Sequence, residues 1–232
     1  AFALRKRAFG VIPLSRYIED GMMTAAQAGL LVRAVRERQN ILIAGGTSTG
    51  KTTLANALLA EIAATGDRVL VLEDTVELQC AARDHVPLRT RAGVVSMTEL
   101  VRSSMRLRPD RVVVGEVRGA EALDLIKVWG TGHPGGIATI HAGSALGALL
   151  RLEQLILEVA VNPPRALIAE AVNVVIHIAG RGRKRRIESI ARVVGFDGSG
   201  YQLADALEAP FPELLPQSDL SSVSPDQPGE LP

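Results

Sequence analysis

The sequence predicts an α/β fold with a mostly parallel sheet covered by helices on both faces, plus a C-terminal β-hairpin. Three observations lead there. Several short strands are apolar at every position, helical stretches separate them, and a glycine-rich loop joins the first strand to the helix after it. A strand without polar positions has both faces buried, which is the environment of a parallel sheet between helix layers.

Residues 1–20 carry the basic cluster Arg5-Lys6-Arg7 and read as an irregular lead-in. Thr24 with Gln27 forms a capping box, and Leu30, Leu31, Val32 and Val35 give the helix behind it an apolar face. Asn40 to Ala44 is a buried strand running into the glycine loop. A helix from Thr53 to Ala64 follows, closed by Gly66, and Val69 to Leu72 is the second strand. Ser96 with Glu99 caps a helix toward Leu107, which Pro109 prevents from continuing. Arg111 to Val114 is a strand, Glu121 to Trp129 a helix, Gly136 to Ile140 a strand, and Ser144 to Val159 a long helix. Val172–Ile178 and Ile187–Val194, joined through Gly180 and Gly182, make the hairpin. Residues 209–232 contain six of the twelve prolines, four acids and no basic residue, a composition expected to be disordered. The compact unit is therefore expected over 21–208.

With 232 residues, 47% of them hydrophobic, one substantial domain is expected, and the single cysteine, Cys80, excludes an internal disulfide. A net charge of +1 argues against a dedicated nucleic-acid binder. No apolar run approaches a membrane span and no signal-peptide pattern opens the chain, so a cytoplasmic location is expected, with peripheral membrane contact left open. The first residue is Ala1, as expected of a fragment or a processed product.

Gly45-Gly46-Thr47-Ser48-Thr49-Gly50-Lys51-Thr52 matches the P-loop pattern between a strand and a helix that opens with Thr53. Glycines let successive amides face a polyphosphate, and the helix N-terminus adds its positive dipole end. Lys51 would neutralise the β- and γ-phosphates, and Thr52 would offer its hydroxyl to Mg²⁺. A guanine-reading Asn-Lys-x-Asp is absent, which favours ATP over GTP.

Hydrolysis needs acids beside the phosphates. Glu116 follows the strand ending at Val114, with Gly115 standing where a metal-organising Asp is usual. A second strand runs into Glu73-Asp74-Thr75-Val76-Glu77, next to the P-loop strand in this reading. The alternative for that segment is a solvated acidic loop, and spacing does not decide which carboxylate is the base. His141 ends another strand. A lone histidine there is commonly structural, but Gly132, Gly135 and Gly136 before the strand favour a mobile loop that could sense the γ-phosphate. His133 is a weaker candidate, and His85 and His177 read as structural.

These segments follow one another in order, with Leu107–Arg118 and Thr131–Ala142 as the third and fourth. Over roughly residues 1–195 the chain resembles the secretion and traffic ATPases of type II, type IV pilus and type IV secretion systems. Their Walker A, Asp box, Walker B and His box match the four segments. Details are most similar to the TrbB-type conjugal-transfer ATPases, and the lack of a tetracysteine motif counts against the type II secretion branch. The resemblance implies a RecA-like core, a homohexameric ring, and Mg²⁺-ATP held between subunits or domains. It also implies residues 1–20 as a linker from a preceding domain, with Arg5 and Arg7 reaching the phosphates. Glu73, Asp74, Glu77, Glu116, His141 and Arg118 would then be catalytic, with Thr52 and Glu116 on the metal. Arg106, Arg108 and Arg118 flank the catalytic strand as further phosphate candidates. Partners would be inner-membrane secretion or conjugation channel components.

The cluster Arg181, Arg183, Lys184, Arg185, Arg186 reads first as a solvated hairpin turn, and second as a contact for anionic lipid or a channel subunit. It lacks the interleaved aromatics of a single-strand stacking platform. Conjugative transfer, type IV secretion or pilus assembly powered by ATP hydrolysis is the leading functional expectation. A helicase-like nucleic-acid motor, a P-loop small-molecule kinase and a non-hydrolysing switch are the alternatives.

Overall fold

A computed structural model describes residues 10–208. The Arg5-Lys6-Arg7 cluster and the 209–232 segment lie outside them. In chain order the elements are α1 (Leu14–Glu19), α2 (Ala25–Arg36), β1 (Ile41–Ala44), α3 (Lys51–Ile62), β2 (Val69–Glu73), β3 (His85–Arg89), α4 (Met97–Ser104), β4 (Arg111–Val114), α5 (Glu121–Gly130), β5 (Ile137–Ile140), α6 (Ala145–Ile156), α7 (Arg165–Ala171), β6 (Val174–Ala179), β7 (Arg186–Phe196) and β8 (Tyr201–Asp205). They build one eight-stranded sheet in the order β3-β2-β4-β5-β1-β6-β7-β8. Strands β3 to β6 in that order run parallel, and β7 and β8 return antiparallel.

Alternation within the apolar strands feeds two cores. Leu42, Leu70, Leu72, Val112 and Val114 face one way and pack with residues of α4 to α7. Ile41, Ile43, Val69, Val71 and Val113 face the other way, against α1, α2 and α3. Every residue of β1, β2, β4 and β5 is buried, which is why these strands are apolar except at Glu73, Arg111 and Thr139. Burying one Leu or Ile side chain is worth about 1.5–3 kcal/mol, so the two cores supply most of the driving force for folding.

Both capping boxes form. Thr24 Oγ1 accepts from Gln27 N at 3.1 Å, and Ser96 Oγ from Glu99 N at 3.2 Å. Other expectations change. The lead-in contains α1, a six-residue helix whose Leu14 and Tyr17 are buried, too short to show a period. Strand β3 escaped notice because it is an edge strand with exposed alternate residues and a proline, Pro87, a type that edges tolerate. The hairpin is a three-stranded meander, since β8 pairs with β7. Helix α3 begins at Lys51, two residues before the expected start, so the loop's own Lys51 and Thr52 lie in its first turn. Strand β2 is not beside β1: β4 and β5 lie between them. Among the described residues, no helix is long and apolar enough to cross a membrane.

Candidate nucleotide site

The C-terminal ends of β1, β2, β4 and β5 open into a cleft of about 570 Å³. Its walls include Thr47, Ser48, Gly50, Lys51, Thr52 and Thr53 from the glycine loop and first turn of α3. The other wall is acidic, with Glu73, Asp74, Glu77 and Glu116, joined by Arg118 and His141. Sequence reasoning thus gathered residues from four separate segments into one site. Gly45, Gly46 and Thr49 form the base of the loop rather than the cleft lining, and Arg5 lies outside the described residues.

The loop owes its shape to two left-handed residues, Ser48 with φ +63° and Gly50 with φ +102°. Gly50 is also the residue before the first turn of α3, so the helix starts with its amides turned toward the cleft. Lys51 is buried, and its Nζ donates to the carbonyls of Gly45 at 2.9 Å and Gly46 at 3.0 Å. These bonds hold the ammonium against the loop, on the side where a phosphate chain would lie.

The acidic wall is held in place by backbone contacts. Thr139 Oγ1 donates to Gly115 O at 2.6 Å, and Val117 N to Thr139 O at 2.9 Å, so β5 fixes the exit turn of β4. A side chain at 115 would press on Glu73, whose Cγ lies 3.2 Å from where a Cβ would stand. That contact leaves little room for a side chain where a metal-organising Asp is usual. Glu73 is buried, and its Oε1 accepts from Glu77 N at 2.9 Å and Leu78 N at 2.7 Å. Asn56 of α3 binds the same segment, donating to Glu77 O at 3.1 Å and accepting from Gln79 N at 2.8 Å. The acidic segment therefore reaches the phosphate loop through α3, although its strand is three places away in the sheet.

Glu116 is the best surrounded acid. Arg118 donates to its Oε2 from both Nε, at 2.8 Å, and Nη2. His141 Nε2 stands 2.7 Å from Oε1, yet off the hydrogen-bond direction, so this buried oxygen receives no aligned donor among the described residues. The Glu116 bond raises the Arg118 guanidinium above its ordinary value and keeps it charged. Glu121 had not been singled out by sequence. Its Oε1 accepts from the amides of Arg118 at 2.7 Å and Gly119 at 3.0 Å and so sets the turn that carries Arg118. The signal was present, an acid in the first turn of a helix just after the acidic strand end.

Several expectations are corrected by position. Gly135 and Gly136 lie at the start of β5, the end opposite His141, and they are packed tight. A Cβ on Gly136 would stand 2.1 Å from Trp129 Nε1 and 2.4 Å from Val112 O. These glycines serve close packing, so they do not make a mobile loop for His141. His133 Nδ1 pairs with the carbonyl of Pro109, away from the cleft, while His85 Nδ1 pairs with that of Ala82, in keeping with its structural reading. Arg106 and Arg108 precede β4, at the end of that strand remote from Glu116. Arg185, read with its neighbours as part of a solvated turn, lines the cleft instead.

The sheet order, the phosphate loop and the acidic strand ends define a P-loop α/β domain. Residues 3–188 match the family model described as type II/IV secretion system protein, and the chain belongs to that family. It is 49% identical over 204 residues to the conjugal transfer protein TrbB of Rhizobium radiobacter, covering 87% of this chain and 63% of the relative. The type IV secretion system protein PtlH of Bordetella pertussis is 34% identical, with 82% and 66% covered. The VirB11 ATPase of the Brucella suis type IV secretion system, solved in complex with sulphate, superposes with a TM-score of 0.65 at 31% identity, covering 82% of this chain and 60% of that one. The chain thus spans about 63% of the TrbB relative it matches. The RecA-like expectation and the secretion-family resemblance both hold.

Proposed function

We propose that the cleft binds Mg²⁺-ATP and hydrolyses it, and that this domain is one subunit of a homohexameric motor serving conjugative transfer or type IV secretion. The observation that carries the reading is the meeting of two walls. A phosphate-loop lysine and a helix N-terminus face Glu116, which is backed by Arg118 and His141.

The amides of Gly50 to Thr53 and Lys51 would hold the phosphates, drawing negative charge toward the dipole of α3. Glu116 is the general base of the proposal. Its Oε2 is held by Arg118, and Oε1 is the oxygen that takes a proton from the attacking water. The water oxygen bonds to the γ-phosphorus, the bond to the β,γ-bridging oxygen breaks, and the leaving charge passes to ADP. Glu73 works as a brace, since one oxygen is committed to the amides of its own turn, and Asp74 and Glu77 orient water. His141 and Arg118 bias Glu116 and meet charge developing on the γ-phosphate.

Among the described residues no group of three His, Cys, Asp or Glu is arranged to hold a metal ion. A cation here would take most ligands from phosphate oxygens and water, which is how Mg²⁺ is usually bound. Thr52 is the side chain that would hold it directly, with Glu116 reaching it through water, and the ion would supply charge neutralisation on the phosphates. Channel components at the inner membrane are the proposed partners, with the protein on the cytoplasmic side.

The test is phosphate release by the purified protein with Mg²⁺-ATP, beside Lys51→Ala. Turnover that Lys51→Ala abolishes is expected, and equal rates for the two proteins would overturn the reading.

A further inference from the structure

The basic hairpin turn supplies one residue that is not solvated like its neighbours. Gly180 has φ +78°, and a Cβ there would stand 2.0 Å from Lys184 O, so only glycine lets the chain fold back this tightly. Gly182–Lys184 then make a single 3₁₀ turn. Just beyond it, Ile187 N donates to Met22 O at 2.7 Å and ties β7 to the loop between α1 and α2. The result aims Arg185 back at the phosphate loop while Arg181, Arg183 and Lys184 stay exposed.

Arg185 Nη2 donates to Ser48 O at 3.3 Å. Its Cδ, Nε and Cζ lie 3.0–3.2 Å from the position a Gly50 Cβ would take, so the guanidinium plane covers that peptide. Nε is shielded from solvent and has no hydrogen-bond partner among the described residues. Arg118 and Arg111 each hold a carboxylate, but no ion pair engages Arg185 among those residues. A cation beside Lys51 and the positive end of α3, with an unanswered donor, is a ready partner for an anion.

We propose that Arg185 is a polyphosphate ligand acting in cis, reaching the nucleotide from the β6–β7 hairpin. The inference rests on the nucleotide reading of the cleft and extends it. Burial pushes the hydroxyl of Tyr17 in α1 up, and the charge of Arg185 offsets part of that rise. One side chain therefore joins the hairpin to the phosphate loop, and its charge is felt at Tyr17 of α1.

The experiment is titration of wild type, Arg185→Ala, Arg185→Lys and Lys51→Ala with ATP and ADP, together with ligand-free thermal unfolding. Losing a charge-assisted bond to phosphate should weaken both nucleotides by about ten- to a hundredfold in Arg185→Ala. Arg185→Lys should recover part of that, because it keeps the charge without the planar fork. Ligand-free unfolding should match wild type. Wild-type affinity in Arg185→Ala would overturn the inference and leave the nucleotide reading intact. A fallen unfolding temperature with no difference between the Lys and Ala variants would also overturn it, by assigning a packing role. Wild type that binds neither nucleotide would overturn the nucleotide reading itself, and this inference with it.

Discussion

Arg111 opens β4 and Arg118 lies just past its end, and each is bonded to a carboxylate, but they occupy opposite environments. Arg111 is 1% exposed and donates through Nε to Asp67 at 2.6 Å and through Nη1 to Gly135 O at 3.2 Å. Arg38 bonds the other oxygen of Asp67. Nearby, the Asn40 side chain accepts from Gly136 N at 3.0 Å and donates to Ala171 O at 2.7 Å. This pole of the sheet is closed and satisfied. Around the cleft, by contrast, the side chains of Arg118 and His141 are 60% and 48% exposed, and charges of both signs share a few acceptors. The same Arg–carboxylate chemistry pins strand starts together at one end and remains open to a ligand at the other. In a parallel sheet, strand direction decides which end is which.

Substitutions can pull the two poles apart. The largest effect is expected at Glu116→Gln. Turnover should fall by about 10² to 10⁴, the usual worth of a positioned acid or base, while ATP affinity and unfolding stay near wild type. An equal loss in affinity would make Glu116 a binding residue. Next, Arg111→Met removes the buried partner of Asp67 and leaves it only Arg38 and Thr65, so urea denaturation should show a loss of about 3 kcal/mol, the lower end for a broken buried pair. Adding Asp67→Leu should return part of that loss; a further fall of full size would show that the pair is not coupled.

The smallest effect is pH-dependent. Burial by itself would raise the Asp67 carboxyl. Hydrogen bonds from Thr65 and Arg111, with the charges of Arg111 and Arg38, hold it below the ordinary 3.8. The unfolded chain then binds that proton first as pH falls. The contribution is complete above the ordinary carboxylate range and is lost as pH drops through the lowered folded value. Urea midpoints should decline on acidification below about pH 4, and Asp67→Asn should remove that part of the slope. A slope unchanged by Asp67→Asn would assign the acid sensitivity to other groups.

Local pattern made the central strands, both capping boxes and the phosphate loop legible in the sequence, because each depends on neighbours a few residues apart. Elements held by tertiary contacts were not. Pro87 hid β3, six residues were too few for α1, and α7 follows Pro163 and Pro164 with a single turn of apolar residues. The site divides the same way. Glu116 and His141 were readable from strand ends, whereas Arg185 was not, since nothing in the 181–186 run distinguishes the residue that turns inward. Nor does sequence separate Arg111 from Arg118, or show that Gly136 exists to admit Trp129 and Val112 O.

One of the two outermost strands, β3, has a consequence for assembly. It is five residues long, carries Pro87 without an amide hydrogen, and exposes His85 and Arg89 on either side of it. Such a border is a poor template for a foreign strand, which disfavours the pairing of sheets from two copies there. A contact between copies along that border would run through helices and loops, joints that can slide and reseat without a ladder of backbone bonds being torn.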